Sequence, residues 1–266
     1  QGMRRLDQLL SSLGYCSRRE AMAFVKEGRV KLDGVVLKRS DQRVDSALIT
    51  VDDLPLEAPE GLLAMLHKPV GYACTHSEDE GPNIYELLPS HWPDRNPVVT
   101  SVGRLDKDTS GLLLVTDIGD LVHRFTSPKA EVEKVYLAEL DRELDPQLVE
   151  IFAKGDLMLR GEEKPCLPAR LEIVSPKTAR LTITEGRYHQ VRRMFASQGW
   201  HVEKLHRERF GPHELGDLAE TGQPREQAGR VADLLHDLAH HPEALQQLAD
   251  LHRVTTGAAG DAAGDL

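Results

Sequence analysis

The 266 residues predict an α+β fold with a mostly antiparallel sheet. Three observations carry that expectation. Short apolar runs bounded by Gly and Pro recur through the middle of the chain. The helical stretches among them are too few and too irregular for a repeating βαβ pattern. A compact helix, turn, helix and hairpin stands ahead of them.

The elements follow in order. Leu6, Leu9, Leu10 and Leu13 have helical spacing, and Gly14 stops that helix. Ser17, with Glu20 three residues on, reads as a capping box for a second helix through Ala21, Phe24 and Val25 that ends at Gly28. Val30, Leu32 and Val35–Leu37 alternate around Asp33-Gly34, a hairpin signal. Further on, Leu62–Leu66, Val98–Val99, Leu112–Thr116, Val135–Leu140, Ala169–Val174 and Ala179–Thr184 read as strands. Asp120–Thr126, Asp145–Lys154 and Tyr188–Ser197 read as helices. Beyond Gly216, Arg225–Ala239 and Pro242–Leu251 have helical patterns, and the Ala/Gly/Asp-rich end is expected to be disordered. Four segments result: 3–59, 62–215, 216–254 and 255–266. Pro59 and Gly61 predict a flexible link between the first two.

Composition narrows the function. The longest aliphatic stretch, Leu112–Val115, is far short of the ~18 apolar residues of a membrane span, so no membrane partner is expected. The start of the chain is polar and basic, unlike a signal peptide; Gln1 and Gly2 ahead of Met3 read as a cloning remnant. Cys16, Cys74 and Cys166 lie far apart, which suits a reducing cytoplasm and argues against a disulfide framework or a cysteine zinc site. With 5% aromatic residues the chain is no stacking platform for single strands. The net charge of −10 is unevenly spread: residues 1–49 carry +4, 50–212 carry −7 and 213–266 carry −7. Local fields, not the sum, steer a polyanion. The cluster Arg4, Arg5, Arg18, Arg19, Lys26, Arg29 and Lys31 is either a solvated helical face or a surface for RNA phosphates, and charge alone leaves the two even.

Three stretches carry chemistry. The loop Val102–Gly111 brings its carboxylates to the mouth of a buried strand, where a substrate could reach them; read plainly it is a surface turn capped by Asp108 and Thr109. Tyr136 is out of phase with Val135 and Leu137 and so faces the other side of its strand, as a packed tyrosine or as a wall for a nucleobase. After the turn Glu185-Gly186, the apolar face Val191, Met194 and Phe195 leaves His189, Arg192 and Arg193 on another face. They are either solvated or turned into a cleft, and no acidic i+4 partner neutralises the arginines. Lys204–Arg209 adds more positive charge.

The stretch SSLGYCSRREAMAFVKEGRVKLDG resembles an S4 RNA-binding domain. The resemblance implies contacts to structured RNA through Arg18, Arg19, Lys26 and Arg29. Three further stretches, GRLDKDTSGLLLVTDIGD, EKVYLAEL and EGRYHQVRRMFASQGWHVEKLHRERFG, resemble the core motifs of the RNA pseudouridine synthases, in the branch that carries an S4 domain. Lys68-Pro69-Val70-Gly71 is similar to that family's early K-P-x-G strand end. The implied architecture is a small S4-like domain followed by a catalytic domain with a central cleft. The implied reaction breaks the N1–C1′ bond of a uridine, turns the base and joins C5 to C1′, with no redox change and hence no cofactor or metal.

Residue by residue, the resemblance makes Asp106 the essential carboxylate and Tyr136 the surface on which the base stacks. Arg192 becomes the cation that pairs with Asp106. Arg104, Leu105 and Leu205 become the substrate pocket. Arg187, His189, Arg193 and Arg207 join the S4-like residues in holding RNA, which must surrender a stacked base at a cost of a few kcal/mol. Tyr188-His189-Gln190 and His123–Lys129 look most like members acting on small-subunit rRNA, naked or in an assembling particle. The N-terminal stretch looks more like members acting on large-subunit rRNA. A non-catalytic RNA-binding factor is the other alternative, weakened because Asp106, Tyr136 and Arg192 are all present. A monomer is expected. His236 and His240 flanking Asp237 mimic a zinc-protease spacing, but the acid is one carbon short and no third ligand follows, so no metal site is assigned.

Overall fold

The computed structural model describes residues 3–211 and 213–215. The C-terminal helices, the tail and the His236–His240 pair lie outside the described residues.

The N-terminal unit is built as the sequence predicts, with more strands. β1 (Arg4–Arg5) runs into α1 (Leu6–Ser12), followed by α2 (Ala21–Lys26), β2 (Val30–Leu32), β3 (Val35–Val36), β4 (Arg43–Val44), β5 (Ile49–Val51) and β6 (Leu54–Pro55). The capping box forms: Glu20 N–H donates to Ser17 Oγ at 3.1 Å, and Ser17 N–H donates to a Glu20 carboxylate oxygen at 3.1 Å. Asp33 and Gly34 both have positive φ, the backbone of a type I′ hairpin turn between β2 and β3. The apolar faces of both helices close with β2, β4 and β5 into one small core containing Leu6, Leu9, Leu10, Val25, Val30 and Ile49.

The second unit comprises β7 (Leu63–Lys68), β8 (Thr100–Ser101), β9 (Thr109–Thr116), α3 (Gly119–Thr126), β10 (Lys134–Leu140), α4 (Gln147–Ala153), β11 (Arg170–Ser175), β12 (Thr178–Ile183), α5 (Gln190–Ser197), β13 (Val202–Phe210) and β14 (His213–Glu214). Its main sheet runs β11-β12-β10-β13-β9-β7, with β8 on β9 and β14 on β13. The ladders are antiparallel except β13 on β9. Period-two alternation sorts the strands onto faces. Leu113 and Val115 enter one core with Leu62 and Trp92. Leu112 and Leu114 enter another on α3. Ala138, Leu181 and Phe195 belong to a third, under α4 and α5. Tyr136 packs against both the first and the third, so it stands at their seam.

The link between the units is pinned, contrary to the expected flexibility. Arg95, with a side chain 1% exposed, donates to Asp117 at 3.0 Å and to the carbonyls of Glu57 and Ala58 at 3.0 and 2.7 Å. Asp117 in turn accepts from the Leu62 N–H at 2.7 Å. Gly61, at φ +139°, lets the chain pass Ile118, whose side chain would lie 2.6 Å from a Cβ there. Glu57 and His91 meet at 2.7 Å, and the N–H of Asn96 donates to the Ser12 carbonyl across the units. A Pro-Gly composition signals freedom only where nothing packs on it. No described helix is long and apolar enough to cross a membrane.

Candidate active site

Asp106 sits in the loop entering β9, and three ties fix that loop. The Thr109 N–H donates to the Asp106 carbonyl, closing a turn. Lys68 is fully buried at the end of β7, and its Nζ donates to the carbonyls of Thr109 at 2.7 Å and Lys107 at 3.4 Å. The Leu105 N–H points at Cys74 Sγ. Gly111, at φ +118°, is required because a Cβ there would collide with the backbone of Arg207 on the neighbouring strand. The Asp106 loop and β13 are thereby locked to each other.

The loop opens on a cavity of about 450 Å³. Asp106, Tyr136, Leu105, Leu205 and Arg104 line it, together with Lys134, His189, Arg192 and Arg207. The predicted carboxylate, aromatic wall and apolar pocket therefore converge. Arg104 lies at the exposed rim, 3.7 Å from Glu80.

Two pairings differ from expectation. Asp106 meets His189, not Arg192: His189 Nε2 is 3.2 Å from its carboxylate. His189 caps α5 with φ +47°, a strained backbone for a non-glycine residue, and stacks on Tyr188. Arg192, one turn into α5, reaches the same loop at Asp108, touching its carbonyl at 3.3 Å and its carboxylate at 3.4 Å. It also donates to the Val202 carbonyl. The loop is thus held from both ends of a helical turn, with the imidazole rather than the guanidinium on Asp106.

The residues predicted to hold RNA divide. Arg18, Arg19 and Lys26 are exposed, with no side-chain ion pair among the described residues. Arg29 is engaged: it forms a bidentate pair with Asp52, both bonds 2.8 Å, and lies over the Phe24 ring. Arg187 and Arg193 turn inward. Arg187 pairs with Glu185 and donates to the carbonyls of Lys164 and Pro165. Arg193 pairs with Glu162 and donates to the carbonyls of Arg160 and Tyr188. The acid that Arg193 lacks at i+4 is Glu162, some thirty residues upstream, while Arg187 takes the neighbouring Glu185; through Glu162 and the carbonyls of Arg160, Lys164 and Pro165 these two arginines stitch the 160–165 loop to the start of α5. Arg207 is 3% exposed and sits in the floor of the cavity.

Lys134 was not singled out by its sequence. The signal was there: it precedes Tyr136 by two residues in a strand and so shares its face. Its Nζ donates to the Glu185 carbonyl at 2.9 Å, and burial, then the Arg207 charge, pulls it down to about 8.

A carboxylate at the lip of a 450 Å³ cavity, an aromatic wall and flanking cations form a site with room for one flat ring. Comparison with known proteins gives the class. Residues 63–197 match the RNA pseudouridylate synthase family model and residues 4–47 match the S4 domain model. The chain is 40% identical to an RNA pseudouridine synthase of Aquifex aeolicus over 84% of this chain and 92% of that one. It is also 40% identical to the ribosomal small subunit pseudouridine synthase A of Escherichia coli K12, over 81% and 93%. A crystal structure of a pseudouridylate synthase aligns with a TM-score of 0.57 at 38% identity, covering 82% of this chain and 94% of that one. The chain belongs to the RNA pseudouridine synthases, and it is an isomerase with an N-terminal S4 domain.

Proposed function

We propose that the protein converts a specific uridine of small-subunit ribosomal RNA to pseudouridine, with Asp106 as the essential carboxylate. The convergence of Asp106, Tyr136, Leu105 and Leu205 on one cavity carries this reading. The relatives named for small-subunit rRNA, 37–40% identical over most of their length, support the choice of RNA. Asp106 acts on the sugar, either by bonding to C1′ or by taking a sugar proton, while the N1–C1′ bond breaks. Tyr136 keeps the freed base flat as it turns. C5 then bonds to C1′.

Residues 3–59 form the RNA-holding unit and 62–215 the catalytic one. Arg18, Arg19 and Lys26, which are exposed and not engaged in ion pairs among the described residues, suit phosphate contacts in the S4 unit. Arg192 acts through the Asp106 loop as a positioning residue. Carbodiimide primer extension on unmodified small- and large-subunit rRNA tests the proposal. One new stop in small-subunit rRNA, absent with Asp106→Asn, is the expected result. A large-subunit stop overturns the choice of RNA, and a stop that survives Asp106→Asn overturns the role of the carboxylate.

A further inference from the structure

Among the described residues, Arg207 is a buried cation without a counter-ion. Its guanidinium is always charged. Its Nε donates to the Leu112 carbonyl at 2.9 Å, and its charged end lies 4.9 Å from the centre of the Phe210 ring. Its Nη2 is sealed from solvent and has no hydrogen-bond partner among the described residues. No described carboxylate lies within ion-pair distance of it. Arg95 supplies the contrast within the same protein: equally buried, it has three acceptors, one of them a carboxylate. A structural arginine is satisfied in that way; Arg207 is not. Lys134, half-buried and close enough to feel the Arg207 charge, also has no carboxylate partner among the described residues. It holds only the backbone carbonyl of Glu185, because the Glu185 carboxylate is taken by Arg187, Gln190 and the Leu167 N–H.

The strand register puts this pair beside the base. Arg207 stands opposite Tyr136 across β10 and β13 and opposite Gly111 across β9, and Lys134 is two residues from Tyr136. An uncompensated buried charge costs several kcal/mol, so Arg207, with the half-buried Lys134 near it, calls for an anion that arrives with the substrate.

We propose that Arg207, with Lys134 beside it, stabilises the negative charge of the uracil after its bond to the sugar breaks. This rests on the assignment of the cavity to the target uridine. When the N1–C1′ bond breaks, its electron pair stays on the base, spread over N1, O2 and O4. The charge is discharged when its electron pair forms the C5–C1′ bond; the C5 hydrogen then leaves to water as a proton while N1 takes one up, giving the neutral pseudouridine base. Fixed cations in a water-poor site bind that anion more strongly than the neutral base, which is the differential a catalyst needs. The sequence places Arg207 among RNA-holding residues; its burial gives it to the base instead.

Free uracil is the probe. Its anion absorbs at longer wavelength than the neutral base, so difference absorbance during a pH titration reads the ionisation of bound uracil. Uracil on the intact protein is expected to ionise about tenfold more readily than in solution, a shift of about one pH unit. Arg207→Met abolishes the shift, Arg207→Lys retains most of it, and Lys134→Met removes part. In single-turnover release of tritium from C5 of labelled rRNA, Arg207→Met lowers the rate about 10²-fold at saturating protein, with RNA affinity unchanged. Thermal unfolding monitors each variant; if Arg207→Met does not fold, Arg207→Lys and Lys134→Met carry the test. Uracil that ionises as in solution, a shift that survives in the variants, or a rate loss matched by an equal loss of RNA affinity overturns the proposal. A shift without pseudouridine on any rRNA sinks the parent assignment and reduces this one to a uracil-anion site without a reaction; pseudouridine without a shift overturns this proposal alone.

Discussion

Replacing Arg95 by leucine removes one guanidinium that serves three acceptors. Asp117 is then left as a carboxylate with a side chain 8% exposed and no cation. Stranding one partner of a buried pair costs about 3–5 kcal/mol. For a protein of this size each kcal/mol moves the midpoint by about 2–4 °C, so Arg95→Leu is expected to unfold about 6–20 °C lower. Arg95→Leu/Asp117→Leu separates the contributions. It removes the stranded charge but still leaves the Glu57 and Ala58 carbonyls and the Leu62 N–H without their partners, at about 1–3 kcal/mol for each one that stays dry. The double variant should regain part of the loss and remain below the parent. Circular dichroism melts at fixed protein concentration measure both. A drop below about 2 °C for the single variant, or a double variant as stable as the parent, refutes the view that this pair clamps the link.

Other outcomes follow from the site and its surroundings. Lys68→Met leaves the Thr109 carbonyl unmet and frees the Asp106 loop; turnover should fall about 10²-fold while RNA affinity, measured by filter binding, holds. His189→Ala removes the direct contact to Asp106 and should lower turnover more than Arg192→Lys, which keeps a cation near Asp108; equal losses would return the pairing to the arginine. Burial pulls His213 from 6.5 down to about 4, so the unfolded chain takes up a proton in that window that the folded chain refuses. Stability is full above pH 6.5 and falls as pH drops through the window, by about 3 kcal/mol at its lower end, and His213→Leu should flatten that limb in pH-dependent melts. Burial pushes the Cys16 thiol up to about 11 and raises Cys74 and Cys166, so iodoacetamide at neutral pH should label the folded protein far more slowly than the unfolded one by mass spectrometry.

Local chemistry was readable where it acts within a few residues. The Leu6–Leu13 spacing, the Ser17–Glu20 box, the Asp33-Gly34 turn and the phase of Tyr136 all rest on neighbours in sequence, and the structure agrees with each. β13 was not readable as a strand. Its segment V-E-K-L-H-R-E-R-F alternates poorly because Arg207 occupies an inward position that an apolar residue would normally fill. The same substitution of charge for grease hid the cavity floor. The acid on Arg193 was hidden for another reason: Glu162 lies far upstream, and only the tertiary fold brings it to α5. The Asp106–His189 contact depends on a left-handed residue at the start of α5, which no composition rule foretells for histidine. Among the N-terminal charges, Arg18, Arg19 and Lys26 are exposed, while Arg29 is taken by Asp52, just past β5, and by the nearby Glu27.

The pinned link turns the two units into a caliper. One jaw is the exposed edge around Arg18, Arg19 and Lys26; the other is the lip of the cavity at Asp106. With Arg95 tightened on Glu57 and Ala58, the opening between the jaws is a fixed length. Under the proposed grip of the S4 unit on RNA, that fixed length would select a uridine by its distance from the landmark held there, not by the letters around it. Loosening the screw at Arg95 should broaden the set of uridines modified before it slows the reaction at any one of them.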